Sequence, residues 1–353
     1  MLENITFSYQ DKRLAVSIPS QITPEVAYET GVHIGDGSMS IIHDRCSNGK
    51  TKEYRITYSG NLNDELDFYQ RILVPLIHKL YNKHVKLVEV PRNNTCVISF
   101  KSRAIMSFKH NVLGLPIGPK AALSGLPTAI IETSESCIKN CIKGIADTDF
   151  SLTFLKKHRD FHYYPKIRGV FANKALVKDL EHWLSEVFGF ATTTSYDVRR
   201  VHPRTGAVFT GHVIELNGEE MLEKWISEIG FYSSKHLTKY SLWKKYGFCP
   251  AKTSTLERIS MLEGKMNPCS WYKSNIRITP ECVPPNKRFE MLEKTSLTSR
   301  EFSSHDVAAK LDISRRRSNE LLKMWYENGL LSRRLEQKGS VTKFKYNSNV
   351  RKA

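Results

Sequence analysis

The 353-residue chain has few cysteines, and no pattern pairs them. Its seven cysteines are scattered without a Cys-x-x-Cys or a framework of disulfide spacings, so we expect them to be reduced. No apolar run approaches the roughly 18 residues needed to cross a bilayer, and Met1-Leu2-Glu3-Asn4 lacks the basic and apolar pattern of a signal peptide. These absences exclude a disulfide-stapled secreted domain and a membrane-spanning protein, and they favour a cytoplasmic one.

Acidic residues are also scarce relative to basic ones. The 36 Asp and Glu residues face 53 Lys and Arg residues, which gives a net charge of +17. A field of that sign steers and holds polyanions, and we favour nucleic acid over an acidic membrane surface as the partner. With 40% hydrophobic residues, the chain can form two or three cored domains.

Two short stretches look like divergent copies of one motif: ETGVHIGDG, from Glu29 to Gly37, and IKGIADTDF, from Ile142 to Phe150. Each ends an apolar helical run and places an Asp five residues after a Gly, so that Asp36 matches Asp149. The first helix has good start signals in Thr23-Pro24-Glu25, and Ser134 or Ser136 could begin the second. Cys137 and Cys141 share a face of that second helix without nearby His or Cys partners, which favours core filling over a zinc site.

A carboxylate at the C-terminal end of a helix lies beside unsatisfied carbonyls, so it is disfavoured unless a cation arrives. Two such ends side by side would make a divalent-metal site. Small residues four apart, Gly31 with Gly35 and Gly144 with Thr148, would let the two helix backbones approach closely.

The repeat continues beyond the motif helices, because each half is typical of an αββαββα order. In the first half the segments are 54–58, 65–80, 85–90, 95–100 and 104–113, and in the second they are 161–170, 176–188, 193–200, 211–216 and 219–229. Lys120 follows Asp36 by 84 residues and Lys235 follows Asp149 by 86, so the two lysines are in register. A duplicated fold predicts such near-equal offsets.

Over residues 20–260 the chain resembles monomeric, two-motif LAGLIDADG homing endonucleases of the archaeal type. The stretches that carry this resemblance, beside the two motifs, are YRITYSGN (54–61), YPKIRG (164–169), WISEIGF (225–231) and KHLTKY (235–240). The family implies a DNA-binding saddle of two curved antiparallel sheets, with the motif helices at its centre and their acids above the minor groove. It also implies a staggered double-strand break with short 3′ overhangs.

The resemblance assigns roles to residues of this chain. Asp36, Asp149, Lys120 and Lys235 are the predicted catalytic residues, and Asp36 and Asp149 with Gly35 and Thr148 form the predicted site for Mg²⁺ or Mn²⁺. Asn61 and Asn173 are candidate water-positioning groups, and Asp147 is expected to cap or pair structurally.

Three positions depart from the family pattern. Glu29 and Thr30 replace small apolar residues, at what we expect to be the solvated end of the first motif helix. Phe150 replaces the Gly after the second acid. It could shift that acid, unless the following strand needs an apolar residue there.

Basic residues on the strands and near the C-terminus predict contacts with double-stranded DNA. The predicted DNA-binding residues are Arg55, Arg92, Lys166, Arg168, Arg199, Arg200, Arg204, Arg315, Arg316 and Arg317. On the strands these cations, with Lys101, alternate with Tyr54, Tyr58 and Tyr164. The last three arginines begin the second helix of a C-terminal segment that resembles a winged helix-turn-helix.

The sequence therefore predicts an α+β protein of two pseudo-symmetric αββαββα halves forming a saddle, plus a small winged-helix domain. The predicted segments are an N-terminal extension (1–20), a first half (21–130), a second half (131–260), a linker (261–286) and the winged helix-turn-helix (287–353). The predicted function is site-specific endonucleolytic cleavage of double-stranded DNA by a monomer with a long asymmetric recognition site. A DNA-binding transcription regulator on the same scaffold and an RNA intron maturase remain alternatives.

Overall fold

The structure of the chain is a computed structural model. It describes residues 5–43, 52–201, 206, 208–272, 289, 292–293, 301–311, 313–327, 329–338 and 341–349. The described residues divide into two compact units. The first comprises Met1–Lys157, Tyr164–Tyr240 and Ala251–Ser260, and the second comprises His158–Tyr163, Ser241–Pro250 and Met261–Ala353.

A short helix, α1 (Tyr9–Arg13), precedes the first αββαββα half. Its elements are α2 (Pro24–Asp36), β1 (Gly37–His43), β2 (Lys52–Asn61), α3 (Leu62–Phe68) running through a π-helical turn into α4 (Val74–Tyr81), β3 (Leu87–Val90), β4 (Thr95–Lys101) and α5 (Arg103–Ser107). As predicted, α2 begins at a capping threonine, because the Thr23 hydroxyl accepts a hydrogen bond from the Val26 N–H at 3.3 Å.

After α6 (Thr128–Ile131), the second half repeats the order. Its elements are α7 (Glu135–Asp149), β5 (Phe150–Leu155), β6 (Tyr164–Phe171), α8 (Lys174–Glu181), β7 (Thr192–Val201), β8 (Val208–Asn217) and α9 (Glu219–Glu228). Ser134 caps α7 by accepting from the Cys137 N–H. The helices α10 (Ser234–Tyr246) and α11 (Thr255–Leu262) follow.

Each half contains one four-stranded antiparallel sheet. The strand orders are β1-β2-β4-β3 and β5-β6-β8-β7, so the two sheets have the same topology. Along each sheet, buried apolar residues face the helices and alternate with polar ones on the opposite side, which we call the open face. The predicted α+β arrangement of two αββαββα halves is confirmed.

Close packing of α2 against α7 joins the two halves, and it depends on the predicted small residues. A Cβ atom at Gly31 would overlap the Cys141 carbonyl oxygen, and one at Gly144 would overlap the Tyr28 carbonyl oxygen. Only glycine therefore allows the two backbones to touch at both points. Cys141 is buried at this contact as a core residue, as expected.

Glu29 is not solvated, and that expectation was wrong. Its carboxylate is fully buried and accepts hydrogen bonds from the Lys109 ammonium (2.6 and 2.7 Å) and from the hydroxyls of Tyr81 (2.8 Å) and Tyr58. Thr30 is buried too, and its hydroxyl donates to the Val26 carbonyl at 2.7 Å. Glu29 and Thr30 lie in the middle of α2, in the buried interior, where a charge persists only because it is paired.

Phe150 belongs to the core of the second half. Its ring lies 5.8 Å from that of Trp225 and 5.7 Å from that of Phe171. It is opposite Gly169, where a Cβ atom would overlap these phenylalanine rings. At the matching place in the first half, Gly37 is opposite the buried Tyr58. A Cβ atom at Gly37 would overlap the His33 ring, so the two halves fill this place with different side chains, and the following strand does need an apolar residue at Phe150.

Residues 304–348 of the C-terminal segment, where the structure describes them, include two helices and a hairpin. They are α12 (Ser304–Leu311), α13 (Arg315–Glu327), β9 (Leu331–Lys338) and β10 (Val341–Ser348), with the strands paired antiparallel. A separate apolar cluster that includes Trp325, Leu321 and Tyr346 packs between them. The assignment of this segment as a winged helix-turn-helix stays a prediction. Pro284-Pro285 of the predicted linker lies outside the described residues. Among the helices of the described segments, none is long and apolar enough to cross a membrane.

Candidate active site

The two matched aspartates are the last residues of α2 and α7, and each is followed at once by a strand. Thr148 packs against Gly35, and a Cβ atom built at Gly35 would lie 3.4 Å from Asp149 Cγ. The helix pairing therefore brings Asp149 beside the backbone that precedes Asp36. The sequence prediction that the two acids converge agrees with this geometry.

The two lysines take equivalent positions relative to the acids. Lys120 Nζ donates to the carbonyl of Gly35, and Lys235 Nζ donates to the carbonyl of Thr148 at 3.3 Å. Each ammonium thus contacts the residue immediately before an acid. Gly35 and Thr148 are both predicted to help bind the metal. In this structure the carbonyl of each accepts a hydrogen bond from a lysine ammonium group.

Two further side chains, Tyr69 and Glu65, enter the site from the first half only. The Tyr69 hydroxyl donates to Asp36 Oδ2 at 2.7 Å. Glu65 is buried, contacts Lys235 Nζ at 2.5 Å, and accepts from the Asn61 N–H at 2.6 Å. Sequence reasoning missed both, because they belong to the amphipathic stretch after β2. The sequence signal that could have indicated Glu65 is an acidic residue on the apolar face of this amphipathic stretch.

Burial and crowding of carboxylates change the protonation of the site. Burial, and next the charge of Glu65, raise the pKa of Asp36 to about 7, against the hydrogen bond from Tyr69. Burial also raises the pKa of Asp149, against the charges of Lys120 and Lys235. Burial lowers the pKa of Lys120. The site favours bound cations or protons, because three carboxylates face two ammonium groups.

The donor set fits a hard divalent cation. Carboxylate and carbonyl oxygens are what Mg²⁺ prefers, and it needs only one or two carboxylates when phosphate supplies the rest. Asp36 and Asp149 would be these carboxylates. Over the described residues, no three His, Cys, Asp or Glu side chains converge as a ready metal site, and the Glu65 carboxylate pairs with Lys235.

Asn61 and Asn173 occupy helix N-caps. The Asn61 side-chain oxygen accepts from the Asn63 N–H at 3.0 Å, and that of Asn173 accepts from the Leu176 N–H at 2.8 Å. These bonds engage the asparagine oxygens in capping α3 and α8. A water-positioning role for them stays a prediction.

Asp147 has the structural role expected of it. Its buried carboxylate accepts from the Tyr28 hydroxyl at 2.7 Å and from the N–H groups of Tyr232 (3.0 Å) and Ser233 (3.0 Å). The last two N–H groups immediately precede α10. Asp147 therefore secures the start of the helix that carries Lys235.

Several predicted DNA-binding residues do stand on the open faces. Arg55 lies opposite Lys101 on the first sheet, while Lys166 and Arg168 lie side by side on the second. Tyr58 is in the core instead, hydrogen-bonded to Glu29. Arg92 is exposed in the short turn between β3 and β4.

A β-bulge changes the facing of β7. Thr193 pairs with Glu215 on the open face, but the register shifts between Ser195 and Val198, and Arg199 then pairs with Thr210 on the helix side. A DNA role for Arg199 stays a prediction that must account for this inversion. The Arg200 side chain and the whole of Arg204 lie outside the described part of the chain.

The three arginines of the C-terminal segment occupy the first turn of α13. The Arg316 side chain is 92% exposed, and Arg317 is half-buried beside Glu320 at 2.7 Å. Arg315 lines a polar cavity with Ser303, Ser304 and His305. A helix start rich in exposed cations suits phosphate.

No protein-family profile matches the chain, and no curated protein matches it. Among solved structures it resembles the homing endonuclease I-DmoI, here in complex with DNA and Mn, at 20% identity and a TM-score of 0.41 over 60% of this chain and 98% of that one. It also resembles the LAGLIDADG homing endonuclease I-GzeII in complex with its DNA target, at 13% identity and a TM-score of 0.43 over 74% and 97%. A single-residue variant of I-SmaMI matches at 12% identity and a TM-score of 0.41 over 69% and 99%. The nuclease function, DNA and metal belong to those proteins.

Proposed function

We propose that this protein is a site-specific double-strand DNA endonuclease of the LAGLIDADG homing type. The observation that carries the proposal is the paired site. Two carboxylates end two helices in backbone contact, and a lysine donates to the carbonyl before each carboxylate. Such a site has one set of groups for each DNA strand. We also propose that the protein acts as a monomer in the cytoplasm.

In this mechanism, Asp36 and Asp149 would hold Mg²⁺ or Mn²⁺, with help from the carbonyls of Gly35 and Thr148. When bound, the ion supplies a nucleophilic water and neutralises charge on the phosphate and the leaving 3′ oxygen. Lys120 and Lys235 stabilise negative charge on the phosphate, and burial strengthens that interaction because it limits screening. Tyr69 orients the Asp36 carboxylate by its hydrogen bond.

Two half-sites related by the pseudo-twofold repeat would each cleave one strand. The product is therefore a staggered break, with short 3′ overhangs if the chain follows the family. The first strand of each sheet begins directly after the acid at the end of its helix, which connects the residues proposed to read bases with those proposed to cleave. This arrangement suits a long asymmetric recognition sequence, because the open faces of the two sheets carry different residues.

The proposal is tested by incubating the protein with a randomised duplex library, with Mg²⁺ or with a chelator, and sequencing the ends. Recurrent staggered ends that need Mg²⁺ are expected. Asp36→Asn and Asp149→Asn should abolish double-strand ends, because each removes a carboxylate that faces the ion. Asp67→Asn is the matched control, since Asp67 forms only an exposed pair with Arg71.

The alternative functions give different results in the same experiment. A transcription regulator on this scaffold would bind particular duplexes of the library, but it would produce no new DNA ends when Mg²⁺ is present. Ends that persist in both the Asp36→Asn and Asp149→Asn variants would place the chemistry elsewhere and overturn the proposal.

We also propose that α13 and the β9–β10 hairpin form a second DNA-binding module. The exposed arginines at the start of α13 support it. In the full chain, Arg315→Ala with Arg316→Ala should weaken duplex binding and shorten the footprint while leaving the cleavage position unchanged. Lys323→Ala, later on the same helix and also exposed, is the control. An unchanged footprint would count against the module.

A further inference from the structure

The open face of the first sheet carries a glutamate that pairs with two cations. Glu53 Oε1 lies 2.5 Å from the Arg55 guanidinium, and Glu53 Oε2 lies 2.6 Å from Lys101 Nζ. Lys101 and then Arg55 lower the pKa of the Glu53 carboxyl. This acid is therefore charged among the residues expected to face DNA.

The second sheet has the same arrangement, built from other residues. Glu215 Oε2 lies 2.7 Å from Lys166 Nζ, and Glu215 Oε1 lies 2.9 Å from the Arg168 guanidinium. In both sheets one carboxylate oxygen meets an arginine and the other meets a lysine. The Glu53 and Glu215 side chains are 21% and 17% exposed, so both still reach solvent.

Duplication does not explain this match. Tyr58 pairs with Ile98 in the first sheet, and Gly169 pairs with Ile214 at the equivalent place in the second. One residue further along, Ser99 therefore corresponds to Glu215. Glu53 lies on a different strand, β2, so the two halves arrive at the same charge arrangement from non-equivalent positions.

A carboxylate on a DNA-binding face opposes non-specific binding. While the arginine and lysine stay on the carboxylate they do not neutralise phosphates, although phosphates can compete for them because ion pairs that reach solvent are weak. The glutamate would then remain against a polyanion without a partner. Among the groups on the base edges of the major groove, only the amino groups of cytosine and adenine donate hydrogen bonds, and Glu commonly accepts from cytosine. A Glu here thus tolerates some base pairs and disfavours the rest.

We propose that Glu53 and Glu215 are the specificity-determining carboxylates of the two half-sites. Each holds an arginine and a lysine away from phosphate in the free protein and accepts a cytosine amino group in the cognate complex. The inference rests on the proposed function, since it assumes that the open faces bind duplex DNA.

The test measures binding to a randomised duplex as a function of salt, in the presence of chelator so that cleavage plays no part. Each cation that gains a phosphate steepens the slope of log K against log salt by about 0.9. Glu215→Gln frees Lys166 and Arg168, so the slope should steepen by up to about 1.8, and Glu53→Gln should act likewise through Arg55 and Lys101. Between 50 and 200 mM salt, the affinity gained by either variant should then shrink by roughly tenfold.

Glu220→Gln is the control, because it changes the net charge equally from an exposed position in the first turn of α9, outside the sheets. A second readout is the base preference of duplexes selected from the library. Glu53→Gln should lose a cytosine preference in one half of the site, and Glu215→Gln should lose one in the other half.

Slopes and preferences like those of Glu220→Gln would overturn the inference while leaving the endonuclease proposal intact. Absence of duplex binding by the unsubstituted protein would overturn both. Thermal unfolding of each variant identifies any that fail to fold, and Glu→Asp at the same position, which keeps the charge, should then preserve the original slope.

Discussion

Each half of the duplicated unit buries a carboxylate on its motif helix, but at a different position: Glu29 in the first half and Asp147, nearer the acid, in the second. Glu29 on α2 is held by Lys109 and two tyrosine hydroxyls, and its counterpart on α7 is Ile142. Gly37 faces Tyr58 in the first half, and Phe150 faces Gly169 in the second. The same backbone path therefore tolerates very different cores, provided that volume and hydrogen bonds are satisfied locally.

The surroundings of the two matched acids, Asp36 and Asp149, also differ between the halves. Asp36 has a hydrogen bond from Tyr69 and a neighbouring Glu65, while Asp149 has no hydrogen-bond partner among the described residues. The loop before Lys120 is anchored by the Gly118 N–H on the Met39 carbonyl, and Lys235 is placed by the Asp147 cap of α10. Equivalent lysine positions thus arise from unrelated supports in the two halves.

Breaking the buried ion pair should have the largest effect on stability. Lys109→Met leaves Glu29 charged and buried without its cation, so we expect a loss of about 3–5 kcal/mol in the free energy of unfolding, measured by chemical denaturation. The double variant Glu29→Leu with Lys109→Met imitates the apolar Ile142 of the second half and should recover much of the loss. A double variant as unstable as the single one would contradict this account.

Removing the ring that fills the second half should cost nearly as much. Phe150→Ala opens a cavity beside Trp225 and should lower the free energy of unfolding by about 3–4 kcal/mol. Gly169→Ala should cost about 1–3 kcal/mol by overlap with the rings of Phe150 and Phe171. If the two positions share one volume, combining Gly169→Ala with Phe150→Leu should cost less than the sum of the single changes in the same denaturation assay.

The raised pKa of Asp36 predicts a pH-dependent cost in stability. An aspartate titrates near 3.9 in the unfolded chain and at about 7 here, so the folded protein binds more protons across that window. Stability of the metal-free protein should therefore fall as pH rises from 4 to 7. At pH 8, Asp36→Asn should be more stable than the unsubstituted chain by about 1–3 kcal/mol, after allowance for screening.

Thermal unfolding with chelator at pH 4 and pH 8 measures that difference, which should shrink at the lower pH. Added Mg²⁺ should stabilise the unsubstituted protein more than Asp36→Asn. An Asp36→Asn variant that is less stable at pH 8 would show that this carboxylate is not strained by its surroundings.

The smallest expected effect comes from the hydrogen bond that Tyr69 donates to Asp36. Tyr69→Phe removes one hydrogen bond to Asp36, and a loss of about 1 kcal/mol should slow cleavage of one DNA strand about fivefold. Strand-resolved cleavage rates measure this, and the other strand should be spared. Tyr240→Phe, which loses a hydrogen bond to Glu223 away from the site, is the control. Equal slowing of both strands would mean that Tyr69 supports the whole site.

The sequence by itself determined the repeated αββαββα order, the matched acids and the two lysines in register. These follow from local periodicity, helix caps and small residues at fixed spacing, all of which lie within one segment at a time. Gly31 and Gly144 even indicated where the two helices touch.

Only the tertiary structure decided which polar residues are buried and what they contact. Glu65 meets Lys235 across 170 residues of sequence, Glu29 meets Lys109 across 80, and the bulge in β7 turns Arg199 to the helix side. No spacing rule connects partners so far apart. A local pattern specifies which way a side chain points, but the pairing of a buried charge depends on whatever the folded chain brings to that place.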